Sequence, residues 1–133
     1  MNERFLLVDL PGYGFAVGPE AERRAWGPLV ETYLDQRPTL RGVAVVVDAR
    51  RGVEADDEEL LAYLARSGLP AALVVTKLDK LGRAERVRLF ARLAGRPDVP
   101  VIGFSARNGE GRDALWRVFR GWLDAAGRPS PRR

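Results

Sequence analysis

A lysine and an aspartate directly after an apolar run form the pattern in this sequence that predicts a chemistry most specifically. The run Leu73-Val74-Val75 is followed by Thr76-Lys77-Leu78-Asp79-Lys80. A carboxylate such as Asp79 can accept two hydrogen bonds from the N1 and N2 donors of guanine, while the lysine stem packs across the base plane. Adenine has no matching donors, so a buried, unpaired carboxylate would discriminate against it by roughly 10⁴ or more.

Lys77 stands out because the chain, with 22 basic residues, has lysine only at positions 77 and 80. Lysine at this place suggests a role for a slim alkyl stem that carries a point charge, which a planar guanidinium would fill differently. The alternative interpretation is structural, with Asp79 capping the helix that follows the turn. The pattern by itself leaves both interpretations open.

Two further segments follow predicted strands in the same way. Asp9-Leu10-Pro11-Gly12 comes after Phe5–Val8, and Ser105-Ala106 comes after Val99–Ile102. The aspartate can approach Mg²⁺, and the glycine amide can meet a γ-phosphate where a side chain would obstruct. In the guanine interpretation Ala106 offers its N–H to O6 of the base and Ser105 shapes the turn. Because ligands of open α/β sheets bind at the carboxyl ends of the strands, the three segments together predict a guanine-nucleotide site.

Short apolar runs that alternate with helical patterns predict a βαβα order and an α/β fold. The runs are continuous, which is typical of parallel strands buried on both faces. The predicted strands are Phe5–Val8, Val43–Val47, Ala72–Val75 and Val99–Ile102. Four helices are predicted, and the first covers Glu20–Gln36. The second begins near Asp56, with Leu60, Leu61 and Leu64 at core spacing, and the third runs from about Arg83 to Ala94, with Val87, Phe90, Ala91 and Ala94 on one face. The fourth has an apolar stripe formed by Leu115, Val118, Phe119, Trp122 and Leu123.

The composition excludes several classes of protein. The 133 residues suffice for one domain, predicted at 1–127, with a basic tail at 128–133. The chain has neither cysteine nor histidine, which removes disulfides, thiol or imidazole catalysis and ordinary zinc sites. We find no run near the ~18 apolar residues of a membrane span and no signal peptide, so we expect a cytoplasmic protein without a membrane partner. The net charge of +4 permits a polyanionic partner.

Three segments in this order and spacing resemble the EngB (YihA/YsxC) family of bacterial P-loop GTPases: Val8–Ala16, Val47–Arg50 and Thr76–Lys80. The resemblance runs from about Phe5 to Leu123. It implies a P-loop NTPase-like three-layer α/β fold with a mostly parallel sheet, and GTP or GDP with Mg²⁺ as cofactors. It also implies a role in assembly of the large ribosomal subunit, with links to the cell cycle and septation. The implied partner is that subunit or its rRNA, and the full-length protein is expected to be a monomer.

The resemblance also assigns roles by position. Asp9 would hold Mg²⁺ through water, Gly12 would sense the γ-phosphate, and Tyr13 stands where many GTPases have a water-orienting glutamine. Slow intrinsic hydrolysis, accelerated by a partner, is therefore implied. The predicted cofactor-binding residues are Asp9, Gly12, Thr76, Lys77, Asp79, Ser105 and Ala106.

The sequence departs from the family in two respects, since neither the pattern G-x-x-x-x-G-K-[ST] nor a switch threonine after it occurs. That pattern supplies phosphate-cradling amides, a phosphate lysine and a Mg²⁺ ligand. The chain is thus similar to the C-terminal two thirds of a GTPase with the N-terminal strands missing, and we assign no catalytic residue. Either Phe5–Val8 pairs directly with Val43–Val47 or it is loosely held, and either way apolar surface and strand edges are expected to be exposed. The base pocket should survive better than the phosphate site, and most nucleotide affinity should be lost.

Three kinds of function remain open at this level. The first is a GTPase, inactive as this chain, whose upstream part completes the site. The second is a module that binds rRNA without nucleotide, and the third is a Rossmann-like domain that binds no nucleotide. Salt-sensitive RNA affinity that GTP leaves unchanged would favour the module, and guanine-selective binding would favour the GTPase. The arginines that could meet RNA phosphates, unless they are simply a solvated surface, are Arg83, Arg86, Arg88, Arg92, Arg96 and those of the tail.

Overall fold

The computed structural model describes residues 32, 34, 36, 38–96 and 99–125. Contacts divide the chain into two compact units, Met1–Leu40 and Arg41–Arg133, and the elements below belong to the second. The predicted strand Phe5–Val8, most of the predicted helix Glu20–Gln36 and the basic tail lie outside the described residues. One domain at 1–127 with a tail at 128–133 therefore stays a prediction.

The second unit alternates strands and helices, as the sequence predicts. Its strands are β1 (Val43–Asp48), β2 (Ala71–Thr76) and β3 (Val101–Gly103). Its helices are α1 (Ala55–Ser67), α2 (Arg83–Leu93) and α3 (Arg112–Asp124), with a 3₁₀ turn at Leu78–Lys80. The strands form a parallel sheet in the order β1-β2-β3, which confirms the predicted α/β class. Within the described part of the chain, no helix has the length and apolar character needed to cross a membrane.

The register of the sheet brings the strand ends together. Asp48 pairs with Thr76, and Val75 pairs with Gly103, so all three strands finish at one edge. The central strand β2 is buried from Ala71 to Val75, as expected for a continuous apolar run covered on both faces. On β1, Val46 is 52% exposed. The predicted pairing partner Phe5–Val8 lies outside the described residues.

Local sequence determines where α1 begins and ends. At its start the Glu54 N–H donates to the Asp57 carboxylate at 2.8 Å, and Asp57 is buried against Arg51 at 3.1 Å. At its end Gly68 takes φ +74°, and its N–H donates to the Ala65 carbonyl. A glycine accepts this left-handed conformation without a Cβ penalty, so it ends the helix there.

The buried face of α2 differs from the predicted one. Its buried residues are Leu89 and Leu93. The predicted face is largely exposed and consists of Val87 (64% exposed), Ala91 and Ala94, with Phe90 partly buried. Of the predicted residues only Phe90 is partly buried, and its ring lies beside Gly103 of β3. Both sets of residues repeat at helical spacing, so periodicity alone did not distinguish the buried face.

A bidentate ion pair joins α1 to the segment after α2. Arg96 donates to the two carboxylate oxygens of Glu58, at 3.0 and 2.6 Å. The hydrogen bond from Arg96 lowers the pKa of Glu58 below its ordinary value. A carboxyl whose pKa is lower in the folded state adds stability that is present at neutral pH. This stability is lost as the pH falls through the folded-state pKa.

We expect Glu58→Gln to lower the free energy of unfolding by about 0.5 kcal/mol at neutral pH, because half of the Glu58 side chain is exposed and the pair is screened. The difference should disappear in acid, once Glu58 is protonated in the unmodified protein. Urea unfolding across the acid range measures it, with the neighbouring exposed Glu59→Gln as the control. A difference that stays constant with pH would contradict the assignment.

Candidate functional site

The loop after β2 turns sharply at Lys77. This residue adopts φ +62° and ψ +37°, and among the described residues no other non-glycine has a positive φ. Such a backbone costs a side-chain-bearing residue roughly 1–2 kcal/mol and persists only where surrounding contacts hold it. Leu78 is buried in the 3₁₀ turn that follows, while the Lys77 side chain is 56% exposed. The turn therefore anchors its apolar residue and leaves Lys77 open to a ligand.

A hydrogen bond between Asp79 and Ser105 joins this loop to the loop after β3. The Ser105 Oγ–H donates to Asp79 Oδ1 at 2.7 Å, and Ser105 is fully buried. The Ser105 N–H donates to the Glu110 carbonyl at 2.9 Å, and the Leu78 N–H donates to the Phe104 carbonyl at 3.2 Å. The hydrogen bond from Ser105 also lowers the pKa of Asp79, so its carboxylate is ionised at neutral pH. The two loops form one structure with a charged acceptor at its surface.

The structural alternative for Asp79, a cap on the next helix, is wrong. Helix α2 begins after Gly82, whose N–H donates to Glu85 Oε1 at 2.9 Å. Glu85 therefore caps α2, and the carboxylate of Asp79 bonds the loop after β3 instead.

Of the other predicted site residues, Ala106 and Thr76 lie among the described residues. Ala106 follows Ser105 and is exposed, and in the part of the chain that the structure describes no backbone acceptor takes its N–H. The Thr76 hydroxyl donates to the Val47 carbonyl at 3.1 Å, so its side chain ties the end of β2 to β1. Asp9 and Gly12, predicted for Mg²⁺ and the γ-phosphate, lie outside the described residues.

Arg86 on α2 holds both loops, a role that the sequence did not indicate. Its Nη2 donates to the Leu78 carbonyl at 3.1 Å, and its Nη1 pairs with Glu110 at 3.0 Å. One guanidinium thus holds the turn after β2 and the loop after β3. Nothing in its local sequence distinguishes Arg86 from the exposed arginines of the same helix.

We expect Arg86→Met, which keeps the alkyl stem, to lower the free energy of unfolding by about 1–2 kcal/mol, because a carbonyl and a carboxylate lose their donor. Arg88→Met on an exposed position of the same helix is the matched control, with an expected change within about 0.5 kcal/mol. Urea unfolding of both variants decides the matter. Equal effects would show that the two contacts of Arg86 contribute nothing to stability.

Asp48 belongs to the segment Val47–Arg50, one of the three that resemble the family, and the sequence did not predict a contact for it. Its Oδ2 lies 3.6 Å from Lys77 Nζ and 2.9 Å from Arg50 Nη2. The hydrogen bonds from Arg50 and the positive charge of Lys77 hold the pKa of Asp48 well below its usual range. The signal that could have found this contact is register, since Asp48 pairs with the residue just before Lys77.

Among the described residues at this edge of the sheet, positive groups gather around Asp48 and Asp79. Electrostatic interactions with Lys80 and Arg107 help to lower the pKa of Asp79. The hydrogen bond to Asp48 raises the pKa of Arg50, and the charge of Asp79 adds to this. With Lys77, four cationic side chains surround the two carboxylates of Asp48 and Asp79. The arrangement offers a carboxylate acceptor within a field that favours a phosphate-bearing ligand.

No family model matches the chain, but individual relatives do. A relative named "Probable GTP-binding protein EngB" from Geotalea daltonii is 43% identical over 128 residues, which cover 94% of this chain and 62% of the relative. A protein of the same name from Citrifermentans bemidjiense is 41% identical over 95% of this chain and 60% of the relative. Another from Pelotomaculum thermopropionicum is 37% identical over 96% of this chain and 67% of the relative.

The fold is shared with solved structures of the translation elongation factor SelB from Methanococcus maripaludis. The form in complex with the GTP analogue GppNHp aligns with a TM-score of 0.56 at 24% identity, over 65% of this chain and 21% of that one. The apo form aligns with a TM-score of 0.55 at 24% identity, over 62% of this chain and 20% of that one. These likenesses concern the fold alone, and they agree with the predicted α/β class.

The sequence relatives agree with the resemblance found in the motifs. The chain spans about three fifths of the length of the first two relatives and two thirds of the Pelotomaculum protein. At 37% identity over that two-thirds span, the relationship is established. The chain belongs to the EngB family of GTP-binding proteins.

Proposed function

We propose that Lys77, Asp79, Ser105 and Ala106 form the base pocket of a guanine-nucleotide-binding protein of the EngB type. The observation that carries the proposal is the 2.7 Å hydrogen bond from Ser105 to Asp79, since it couples the carboxylate to the loop that bears the Ala106 amide. The names of the relatives, which are GTP-binding proteins, support the same conclusion.

The chemistry of the pocket follows from its donors and acceptors. Ionised Asp79 accepts from N1–H and the N2 amino group of guanine, and Ala106 N–H donates to O6. Adenine has an unprotonated N1 and a donor in place of O6, so it would leave Asp79 without a donor and set the Ala106 N–H against an amino group. The Lys77 stem lies across the base plane, and Ser105 holds Asp79 in the orientation that receives the base. Unmatched polar groups on both partners make the discrimination steep.

The residues described here supply the base pocket and no phosphate or Mg²⁺ site. We propose that Asp9, through water, and Gly12 serve Mg²⁺ and the γ-phosphate, and that Thr76 belongs to the nucleotide site through its place at the end of β2. Mg²⁺ would neutralise phosphate charge when bound. Because G-x-x-x-x-G-K-[ST] does not occur in the sequence, we expect this chain to bind guanine nucleotides weakly and without efficient hydrolysis, since phosphate contacts are the strong, charge-assisted ones.

For the longer proteins of this family we propose GTP hydrolysis coupled to assembly of the large ribosomal subunit in the cytoplasm, with that subunit or its rRNA as the partner. The net charge of +4 of this chain supports contact with a polyanion. We further propose that the full-length protein acts as a monomer.

A titration of this chain with fluorescently labelled GDP and with labelled ADP tests the proposed function. We expect GDP to bind with at least about tenfold higher affinity than ADP. Equal affinity for the two nucleotides, or no binding by a chain that circular dichroism shows to be folded, would contradict the base pocket.

The second candidate function, an RNA-binding module that works without nucleotide, is favoured by one observation. Arg86 and Arg96 are engaged in ion pairs with acids of this chain. Arg83, Arg88 and Arg92 on α2 are exposed and form no ion pair with another described residue. Filter binding of an rRNA fragment at increasing salt, with and without GDP, separates the two candidates. A steep loss with salt that GDP does not change would favour the module.

A further inference from the structure

Asp48 lies in contact with the predicted guanine site without belonging to any segment expected to touch the nucleotide. It is the last residue of β1 and pairs in register with Thr76, the last residue of β2. Its side chain is 17% exposed and receives two cations on the same oxygen, Lys77 Nζ at 3.6 Å and Arg50 Nη2 at 2.9 Å. The contact between Asp48 and Lys77 therefore joins the ends of two neighbouring strands, and it involves the lysine of the proposed pocket.

Arg50 prevents the Asp48 carboxylate from turning away. The Arg50 N–H donates to Asp48 Oδ1 at 2.8 Å, Arg50 Nε donates to the same oxygen at 3.1 Å, and Nη2 donates to Oδ2. Two parallel donors on a planar guanidinium fix the plane of a carboxylate, which a single donor does not. The oxygen that faces Lys77 is thus held at a defined place.

Lys77 is consequently constrained at both ends. Its backbone is in the left-handed region, which sets the direction of the Cα–Cβ bond, and its ammonium group lies beside Asp48. The stem between them is 56% exposed, so one side of it is open to a flat ligand. A free lysine stem has about 2 kcal/mol of rotamer entropy to lose when it is ordered against a ligand. A stem ordered beforehand avoids much of that loss.

We propose that Asp48, held by Arg50, is a positioning residue of the guanine site that orders the Lys77 stem across the base plane. This inference rests on the proposed guanine pocket and adds to it a residue from a third strand end. It also explains why position 77 has a lysine, although all basic residues of the chain except Lys77 and Lys80 are arginines. A compact ammonium can approach the Asp48 oxygen that already accepts from Arg50, and a second planar guanidinium cannot.

A double-mutant cycle on Asp48 and Lys77 tests the proposal. Asp48→Asn keeps the shape and the acceptor for the Arg50 N–H but removes the charge, and Lys77→Met keeps the stem but removes the ammonium. We expect each to weaken GDP binding by about five- to twentyfold, and the double variant to bind within about twofold of Lys77→Met. Asp124→Asn is the matched control, because it removes a charge at the end of α3 farthest from the loop after β3, and it should bind GDP as the unmodified chain does.

Two outcomes would overturn the positioning role while the guanine pocket stands. One is GDP affinity unchanged in Asp48→Asn; the other is a double variant whose loss is the product of the single losses, since Asp48 would then act independently of Lys77. If the unmodified chain does not prefer GDP over ADP, the proposed function itself fails and the positioning role fails with it. Should Asp48→Asn not fold, Lys77→Met decides alone, and affinity equal to that of the unmodified chain would refute the proposal.

Discussion

Replacing Asp79 by asparagine is expected to move the base preference of this protein from guanine to xanthine. GDP affinity should fall by about 10²-fold or more, and xanthosine diphosphate should become the better ligand. The reason is that an asparagine amide places an N–H₂ donor where the carboxylate accepts from the guanine amino group. Xanthine has a carbonyl oxygen at that position and accepts the new donor.

The substitution is suited to a clean measurement because it spares the fold. The amide oxygen of the new side chain can still accept from the Ser105 hydroxyl, which is the contact that joins the two loops. Competition titrations with GDP, xanthosine diphosphate and ADP on the unmodified chain, Asp79→Asn and Asp124→Asn measure the preference of each. A parallel loss of all three ligands, without a gain for xanthine, would mean that Asp79 supports the loop and does not read the base.

Gly111→Ala is expected to destabilise the protein by about 3–5 kcal/mol, the largest stability effect that we predict. Gly111 precedes α3 with φ +85°, and a methyl group on it would overlap the Gly103 carbonyl oxygen and approach Phe104 Cα to 3.2 Å. All the opposing atoms are backbone, so no side chain can rotate out of the way. The end of β3 and the loop that carries Ser105 would have to move.

Gly109→Ala provides the matched control for this effect. Gly109 has a similar φ of +82°, but an added methyl group would meet no atom within 4 Å. It should cost only the roughly 1–2 kcal/mol of the left-handed backbone. Urea unfolding of both variants isolates the steric part as their difference. Equal decreases in the free energy of unfolding would contradict the prediction. They would show that α3 can move to accommodate the methyl group, so that the close approach of Gly111 to β3 adds nothing to stability.

Much of the fold follows from short-range patterns in the chain. Continuous β-branched runs such as Val43–Val47 read as buried parallel strands, and they form β1 to β3 within one or two residues of the predicted bounds. The alternation of these runs with helical segments permits few arrangements, because a parallel strand needs a crossover helix. The motif Thr76–Asp79 and the pair Ser105-Ala106 were identified for the same reason, since each lies at or just beyond the end of a strand.

The orientation of a helix about its own axis, which decides the face that is buried, could not be predicted from the sequence. In α2 the sequence offers two faces of helical periodicity, and the folded protein buries Leu89 and Leu93 while Val87 and Ala91 are exposed. That choice depends on the apolar area that each face buries against β2 and β3, which is a property of the assembled layers. The same orientation of α2 brings Arg86 to the Leu78 carbonyl, so this contact of Arg86 could not be predicted from the sequence either.

The sequence by itself determined the kinds of residue in the site and the edge of the sheet on which they lie, because strand direction carries every post-strand loop to the same side. Only the tertiary structure decided how they meet. The hydroxyl of Ser105 on Asp79, and the carboxylate of Asp48 beside Lys77, join residues 26 and 29 positions apart in the chain. Contacts of a few ångströms between separate loops depend on register and side-chain packing, which local propensity does not encode.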